Sequence, residues 1–182
     1  MAVVTLYGSR IITGLVATPT VLADAGEGGG RVKCWVETIE TNADDSVSST
    51  YHMARLPSNA RILGISRLSW DDLASTGSPT IDLGVYPVKT GDITADPDGL
   101  SNGHDVATAA STAVAITERA DYGKQLWQFV SGQTVDPKCD LDVKVVLCDA
   151  AITIAGTITL AAEVTVRGRR ASAAAGLGFT QD

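Results

Sequence analysis

Aromatic residues are scarce in this chain, since nine of its 182 residues, or 5%, are Phe, Trp or Tyr. A pocket that stacks rings against its walls is lined with such side chains, so the composition argues against one. Apolar residues still make up 45%, and they are mostly Ala, Val, Ile and Leu. Side chains of this kind suit thin sheets packed face to face, and the 18 glycines suit tight turns between short strands.

Cysteines are few, odd in number and widely spaced, at Cys34, Cys139 and Cys148. They form no CxxC pair, which argues against a disulfide framework. The pattern predicts three reduced thiols in a protein made in a cytoplasm, each filling a small space in the core.

Segments that would direct the chain into a membrane are also lacking in the sequence. No charged-then-apolar leader with a small-residue cleavage site opens it, and no run of 18 apolar residues occurs. We therefore expect no membrane partner.

Positive charge is scarce in the body of the chain, and the net charge is −7. A protein that follows phosphates needs a basic face, so nucleic acid is not expected as a direct partner. Arg167, Arg169 and Arg170 are offset only by Asp182, which gives residues 167–182 a charge of +2 and the first 166 residues −9. An acidic body with a basic tail can attract a second copy head to tail.

Motifs of known catalytic chemistry are missing as well. The sequence has no GxSxG, no HExxH, no P-loop and no GxGxxG after a strand. Its two histidines are His52, within a strand pattern, and His104, within a glycine-rich stretch. With so few candidates for a general base, the sequence predicts a protein that is not an enzyme.

The best candidate for a metal site is the acidic stretch from Asp92 to Asp105. Within it, Thr94, Asp96 and Asp98 alternate as the ligands of a calcium loop do. The fit is poor, because Thr replaces the first carboxylate, no long Glu closes the loop and no helices flank it. A solvated turn is the favoured interpretation, with calcium binding left open, and we expect no obligatory cofactor.

Three tryptophans, Trp35, Trp70 and Trp127, are the candidates for a stacking platform that binds sugar or nucleotide rings. They lie in three different strand-like runs at unrelated spacings. Packing in the core or at a subunit interface is therefore the favoured interpretation for each of them.

Alternation of apolar and polar residues indicates β-strands along most of the chain. The strongest signal lies at residues 157–166, with similar ones at 80–86 and 141–148. Residues 91–103 are expected to be irregular, and the Ala-rich run 105–119 is the one candidate for a short helix. Weaker strand signals occur at residues 3–7, 11–16, 32–39, 51–56, 61–70 and 126–130.

Seven or eight short strands separated by turn clusters predict an all-β fold. The expected architecture is an antiparallel β-sandwich or jelly-roll-like barrel with extended N- and C-terminal arms. Four glycines within residues 26–30 indicate a hinge. We therefore divide the chain into an N-terminal arm and hinge at 1–30, a β-sandwich domain at 31–166 and a basic tail at 167–182.

Both arms carry residues that need a partner surface. The N-terminal arm has a cluster too apolar to remain in water, which a neighbour is expected to cover. The tail has guanidinium groups that are expected to meet carboxylates across an interface. The predicted partner interface consists of Val3, Val4, Leu6, Tyr7, Arg167, Arg169 and Arg170.

Several turns and strand edges resemble structural proteins of tailed bacteriophages. The likeness spans about residues 50–166, and its motifs carry no chemistry, so they indicate a lineage and not a mechanism. They are ARLPSNARI at 54–62, WDDL at 70–73, SPTIDLG at 78–84, ADYGK at 120–124, FVSGQ at 129–133 and GTITL at 156–160.

The resemblance implies a virion protein, and most specifically a capsid decoration or cement protein. Such proteins typically sit as trimers on the outer face of the capsid and brace adjacent shell subunits. The implied partners are the major capsid protein and further copies of the chain, on the capsid surface after synthesis in the cytoplasm of the bacterial host. The Arg-rich tail departs from this pattern. A neck or tail protein of the virion and a carbohydrate-binding β-sandwich module are the alternatives.

Overall fold

The computed structural model describes residue 3 and residues 5–7, 32–109, 114–116 and 121–166. Over these residues the chain forms ten β-strands and a single-turn 3₁₀ helix, Leu126–Phe129. The strands are β1 (Thr5–Tyr7), β2 (Lys33–Thr41), β3 (Thr50–Pro57), β4 (Arg61–Ile62), β5 (Arg67–Trp70), β6 (Thr80–Pro87), β7 (Asp96–Asp105), β8 (Val114–Ala115), β9 (Asp140–Cys148) and β10 (Gly156–Thr165).

The strands form two five-stranded sheets that pack against each other. The first sheet has the order β1-β3-β9-β6-β7, and the second has the order β2-β10-β5-β8, with β4 also paired to β10. The described pairs are antiparallel except β1 with β3, which run parallel. The predicted all-β fold is confirmed, and it is the antiparallel β-sandwich.

The core lies between the two sheets and is built by the predicted alternation. In β6, β9 and β10 every second side chain points inward and is almost fully buried, while its neighbours point out. Burial of so many aliphatic side chains is the main term that stabilises the sandwich. The inward residues of these strands are Ile81, Leu83, Val85, Leu141, Val143, Val145, Leu147, Ile158, Leu160, Ala162 and Val164.

Strand β2 has the predicted period of two, but its more apolar face is the outer one. Val32, next to the strand, and Val36 are 51% and 46% exposed, whereas Trp35 and Ile39 pack against the core. The Trp35 indole N–H donates to the carbonyl oxygen of Met53 on the first sheet at 2.9 Å. Burying the large Trp35 ring, whose N–H is hydrogen bonded, together with Ile39 removes more apolar surface from water than burying Val32 and Val36 would.

Two predictions for the acidic stretch and its continuation are wrong. Residues 96–105 are not irregular, because they form β7 along β6, with register shifts that accommodate its proline and glycines. The candidate helix at 105–119 is not supported either, since Val114–Ala115 form β8 against Arg67–Leu68. Residues 110–113 and 117–120 lie outside the described residues, as does the strand predicted at 11–16.

The predicted strand at 126–130 is instead a single 3₁₀ turn. Leu126 and Phe129 are both buried, and residues three apart lie on the same side of a 3₁₀ helix. The Leu126 N–H donates to the Ala60 carbonyl oxygen at 2.7 Å, which holds the turn against the loop after β3. Two apolar residues at this spacing fit a turn as well as a strand, so the sequence pattern alone is ambiguous.

Candidate interaction surfaces

A buried charged cluster lies on the outer face of the first sheet, centred on Asp142 of β9, which is 3% exposed. The Arg55 guanidinium donates from Nε to Oδ1 at 2.7 Å and from Nη2 to Oδ2 at 3.2 Å. His52 Nδ1 lies 3.5 Å and Lys144 Nζ 4.0 Å from Oδ2. One carboxylate thus holds three basic side chains from two neighbouring strands.

A β-bulge in β3 brings His52 and Arg55 to the same face. Three positions apart, they would point to opposite faces of a regular strand. The register runs from His52 opposite Lys144 to Ala54 opposite Val143, so Met53 is an extra residue that restores the outward direction by Arg55. Sequence reasoning missed this cluster, because a period-two pattern contains no sign of the bulge.

Burial and charge act in opposite directions on the cluster. Burial by itself would raise the pKa of Asp142, but hydrogen bonds from His52 and Arg55 outweigh it, and the pKa lies below its ordinary value. Burial lowers the pKa of Lys144, which Asp142 only partly opposes. The Lys144 ammonium lies 4.8 Å from the centre of the Tyr86 ring, a cation–π contact on the same face.

The other end of this face is acidic and holds Cys148. Asp82 accepts a hydrogen bond from the Gly103 N–H at 2.7 Å and one from the Cys148 thiol at 3.2 Å. Burial and the contact with Asp82 raise the pKa of Cys148 to about 12. Burial, followed by the nearby Cys148 and acidic side chains, also raises the pKa of Tyr86 to about 12.

The start of β7 covers part of this outer face. A Cβ added at Gly84 of β6 would lie 2.3 Å from the carbonyl oxygens of both Asp96 and Pro97. Only a glycine allows the backbone of β7 to come so close. At Gly84 the outer face of the first sheet is therefore closed by a segment of the same chain.

The acidic start of β7 is hydrogen bonded to the segment that follows the 3₁₀ helix. Asp96, one of the candidate calcium ligands, accepts a hydrogen bond from the Ser131 N–H at 2.6 Å. In the part of the chain that the structure describes, no three His, Cys, Asp or Glu side chains lie close enough together to hold a metal ion.

The outer face of the second sheet is open and carries short, mostly neutral side chains. Cys34, Val36 and Thr38 of β2 are exposed, next to half-buried Thr159 and Ala161 of β10. The hydroxyls of Thr38 and Thr159 lie 2.9 Å apart and are hydrogen bonded. We call this surface the open face.

All three cysteines are free, in agreement with the sequence prediction. Cys34 is exposed on the open face, however, so the expectation that it is a core residue is wrong. Cys139 and Cys148 are half-buried. Burial raises the pKa of Cys139, as it does that of Cys148.

The structure places three of the predicted interface residues. Val3 is 64% exposed. Leu6 and Tyr7 belong to β1 and are register partners of Tyr51 and His52. The other four, which are Val4, Arg167, Arg169 and Arg170, lie outside the described residues.

The segments 8–31 and 167–182 join the sandwich at neighbouring positions. Lys33 at the start of β2 pairs with Val164 near the end of β10, so the two attachment points are about one strand spacing apart, roughly 5 Å. Exposed Ile65 and Tyr122 lie at this same end of the second sheet, where Leu63 N–H bonds to Glu163. We call this part of the molecule the arm end.

The two histidines lie in packed, partly or fully buried positions of the first sheet. His104 is in β7 and not in a loop, its ring 5.5 Å from that of Trp70, and its Nε2 is 2.9 Å from the Ser101 hydroxyl. Burial lowers the pKa of His104.

Each tryptophan packs separately against the core, as the favoured interpretation predicted. Trp70 is 8% exposed, and Trp35 and Trp127 are partly buried. The indole N–H of Trp70 donates to the Thr108 carbonyl at 3.2 Å, and that of Trp127 donates to the Gln125 side chain at 2.6 Å. Each ring therefore has its own contacts with the core.

Helices long and apolar enough to cross a membrane do not occur among the described residues.

Comparison with known proteins gives a likeness of fold. No protein-family model matches the chain, and no curated protein sequence matches it. A chain in the capsid asymmetric unit of cyanophage Pam1 has a TM-score of 0.50 and 22% identity, over 83% of this chain and 96% of that one. A chain in the capsid of Ralstonia phage GP4 has a TM-score of 0.54 and 16% identity, over 92% of this chain and 100% of that one.

Both similar chains belong to phage capsids, so the resemblance to phage structural proteins is confirmed at the level of the fold. At these identities the shared property is the sandwich itself.

Proposed function

We propose that the chain is a non-enzymatic structural protein of a phage particle that binds the outside of the capsid lattice as a decoration or cement protein. The observation that carries the proposal is the fold match over nearly the whole length of two chains from phage capsids. The match covers 96% and 100% of those chains, so their lengths are close to that of this chain. The motifs at residues 54–62 and 78–84 point in the same direction.

A cement protein acts by mass action. If it binds only the assembled lattice, each bound copy lowers the free energy of that lattice and opposes its opening under internal DNA pressure. Symmetry repeats one contact around every axis, so modest contacts add up. Such binding requires contact surfaces on the sandwich and its arms, and no catalytic site. The proposed partners are the major capsid protein and further copies of the chain, which would form a trimer.

The proposed contacts are made by residues of the two arms. Val3, Val4, Leu6 and Tyr7 supply apolar surface, and the exposed Val3 fits that role. The three tail arginines are proposed to pair with carboxylates of a neighbour, a contact favoured by the −9 charge of the first 166 residues. Because β1 pairs with the start of β3 and the tail leaves from the end of β10, the two arms would contact a neighbour at different places on the sandwich.

The experiment is co-sedimentation of the purified protein with undecorated capsids, using the full chain and two deletions, of residues 1–16 and 167–182. We expect the full chain to sediment with capsids and at least one deletion to lose most of its binding while keeping its unfolding midpoint. Binding through the tail should weaken as salt rises, because exposed ion pairs are screened. As a matched control, the three arginines are replaced by lysine, which keeps the charge, and separately by glutamine.

Other locations give different outcomes. A neck or tail protein would leave capsids undecorated and sediment with connector or tail assemblies. A carbohydrate-binding module would bind immobilised sugars and ignore capsids. Either result would overturn the proposal. If both truncated proteins bind capsids as well as the full chain does, the arms do not contribute to the contact.

A further inference from the structure

The parallel pairing of β1 with β3 is a small contact made by a distant part of the chain. Three residues pair, with Thr5 opposite Thr50, Leu6 opposite Tyr51 and Tyr7 opposite His52, at the edge of the first sheet. Just beyond, the Met53 carbonyl accepts the Trp35 indole N–H at 2.9 Å, so the next acceptor along β3 is already taken. The described pairing along this edge of β3 is three residues long.

The connection between β1 and the sandwich is long. Residues 8–31 number 24 and include six glycines. Fully extended, they span about 80 Å at roughly 3.3 Å per residue. A domain of this size has a radius of gyration of only about 14 Å, so the connection is long enough for the strand to reach the equivalent edge of a copy that lies beside it.

Pairing within the chain and pairing between copies make the same backbone hydrogen bonds, because the receiving edge is identical. The choice depends on the effective concentration of the neighbouring edge. In a dilute monomer the strand's own edge is favoured. Val3, two residues before β1, is 64% exposed in this arrangement, so the contact within one chain leaves an apolar residue uncovered.

We propose that, when copies are held side by side on a capsid, β1 of one copy pairs with β3 of the adjacent copy in the same parallel register. The inference rests on the proposed function, because the lattice is what holds the copies at short range. The partner is a second copy of this chain, and the site is the edge of β3 at Thr50–His52. Each exchange would link two copies, and repetition around an axis would link a closed ring.

The test uses cysteine pairs in a background without the native thiols (C34S, C139A, C148A). One protein carries Thr5→Cys and another, lengthened by a tag, carries Thr50→Cys. Paired positions in neighbouring strands lie about 4.8 Å apart, within the Cα range of a disulfide. The two proteins are mixed, bound to undecorated capsids and mildly oxidised, and the mixed disulfide is identified by its size. The matched control replaces Thr50→Cys with Thr38→Cys on the open face.

We expect the mixed disulfide to exceed the control by about tenfold or more on capsids, and to be weak in dilute solution. A chain carrying both Thr5→Cys and Thr50→Cys should close an internal disulfide in dilute solution. If capsid-bound protein gives only the internal disulfide, or no coupling between positions 5 and 50 of different copies, the exchange is wrong while the cement function stands. Protein that fails to sediment with capsids would overturn the proposed function, and the exchange with it.

Discussion

The two outer faces of the sandwich differ in how the chain itself treats them. On the first sheet, Asp142 and its three basic partners are held in place, and the backbone of β7 lies against Gly84. On the second sheet, the open face has exposed Val36 and Thr38 with short side chains around them. The outer face of the first sheet is thus occupied by contacts within the chain, whereas the outer face of the second sheet is accessible to a neighbour.

The comparison separates stability from assembly. Changes on the first face should alter the free energy of unfolding, because its polar groups have defined partners and little access to water. Changes on the open face should leave that free energy almost untouched, because the side chains there already contact solvent. The two faces therefore allow stability and accessibility to be tested separately.

Replacing Asp142 with asparagine should have the largest effect. D142N removes the anion that holds His52, Arg55 and Lys144, and leaves the partly buried Arg55 and Lys144 cations without their carboxylate. We expect the free energy of unfolding to fall by about 3 kcal/mol, measured by urea unfolding at neutral pH. The matched change on the open face is T38A, which loses one exposed hydrogen bond. The comparison fails if D142N costs no more than T38A.

Replacing Gly84 with alanine should have the next largest effect. The added Cβ would meet two backbone oxygens at 2.3 Å, and a backbone moves less easily than a side chain. Such overpacking costs about 1–3 kcal/mol, visible as a lower unfolding midpoint. On the open face, A161S adds one atom beside solvent and should change stability by less than about 0.5 kcal/mol. Equal effects of the two variants would show that β7 does not close the first face.

The sequence predicts those features of the fold that depend on the residue pattern within a single strand. In β6, β9 and β10 the inward residues are aliphatic and their neighbours polar, so alternation predicts the strands, their faces and the core. The open face is predictable in β10 for the same reason. In β2 it is not, since Trp35 and Glu37 point inward and Val36 points out.

The charged cluster was not predictable, because its burial depends on contacts between distant segments. Asp142 and Lys144 alternate with buried apolar residues, and outward charges on a strand normally indicate solvent. The bulge at Met53 and the path of β7 across Gly84 decide otherwise, and neither leaves a mark in the local pattern. The pairing of β1 with β3 is similarly hidden, since it joins segments more than 40 residues apart.

Acid should reduce the difference between D142N and the unsubstituted protein. The pKa of Asp142 is lowered in the folded state, so its contribution is present above its unfolded pKa of about 3.9 and is lost as pH falls through the folded value. The gap in unfolding free energy should therefore shrink below about pH 4. Asp71 offers a control, because Thr157 lowers its pKa at an exposed position, and D71N should show a smaller change. A constant gap down to the acid limit would contradict the assignment.

Thiol reactivity should show the same contrast without any change in stability. Cys34 is exposed on the open face, whereas the Cys148 thiol donates to Asp82 and its pKa is raised to about 12. Because the thiolate is the reactive form, Cys34 should be alkylated at least about tenfold faster at pH 8.5. Mass mapping after timed exposure to iodoacetamide measures both rates, and C34S should remove the fast phase. In denaturant without reductant, all three thiols should be free and react alike. Equal rates for Cys34 and Cys148 in the folded protein would mean that the first face opens as readily as the second.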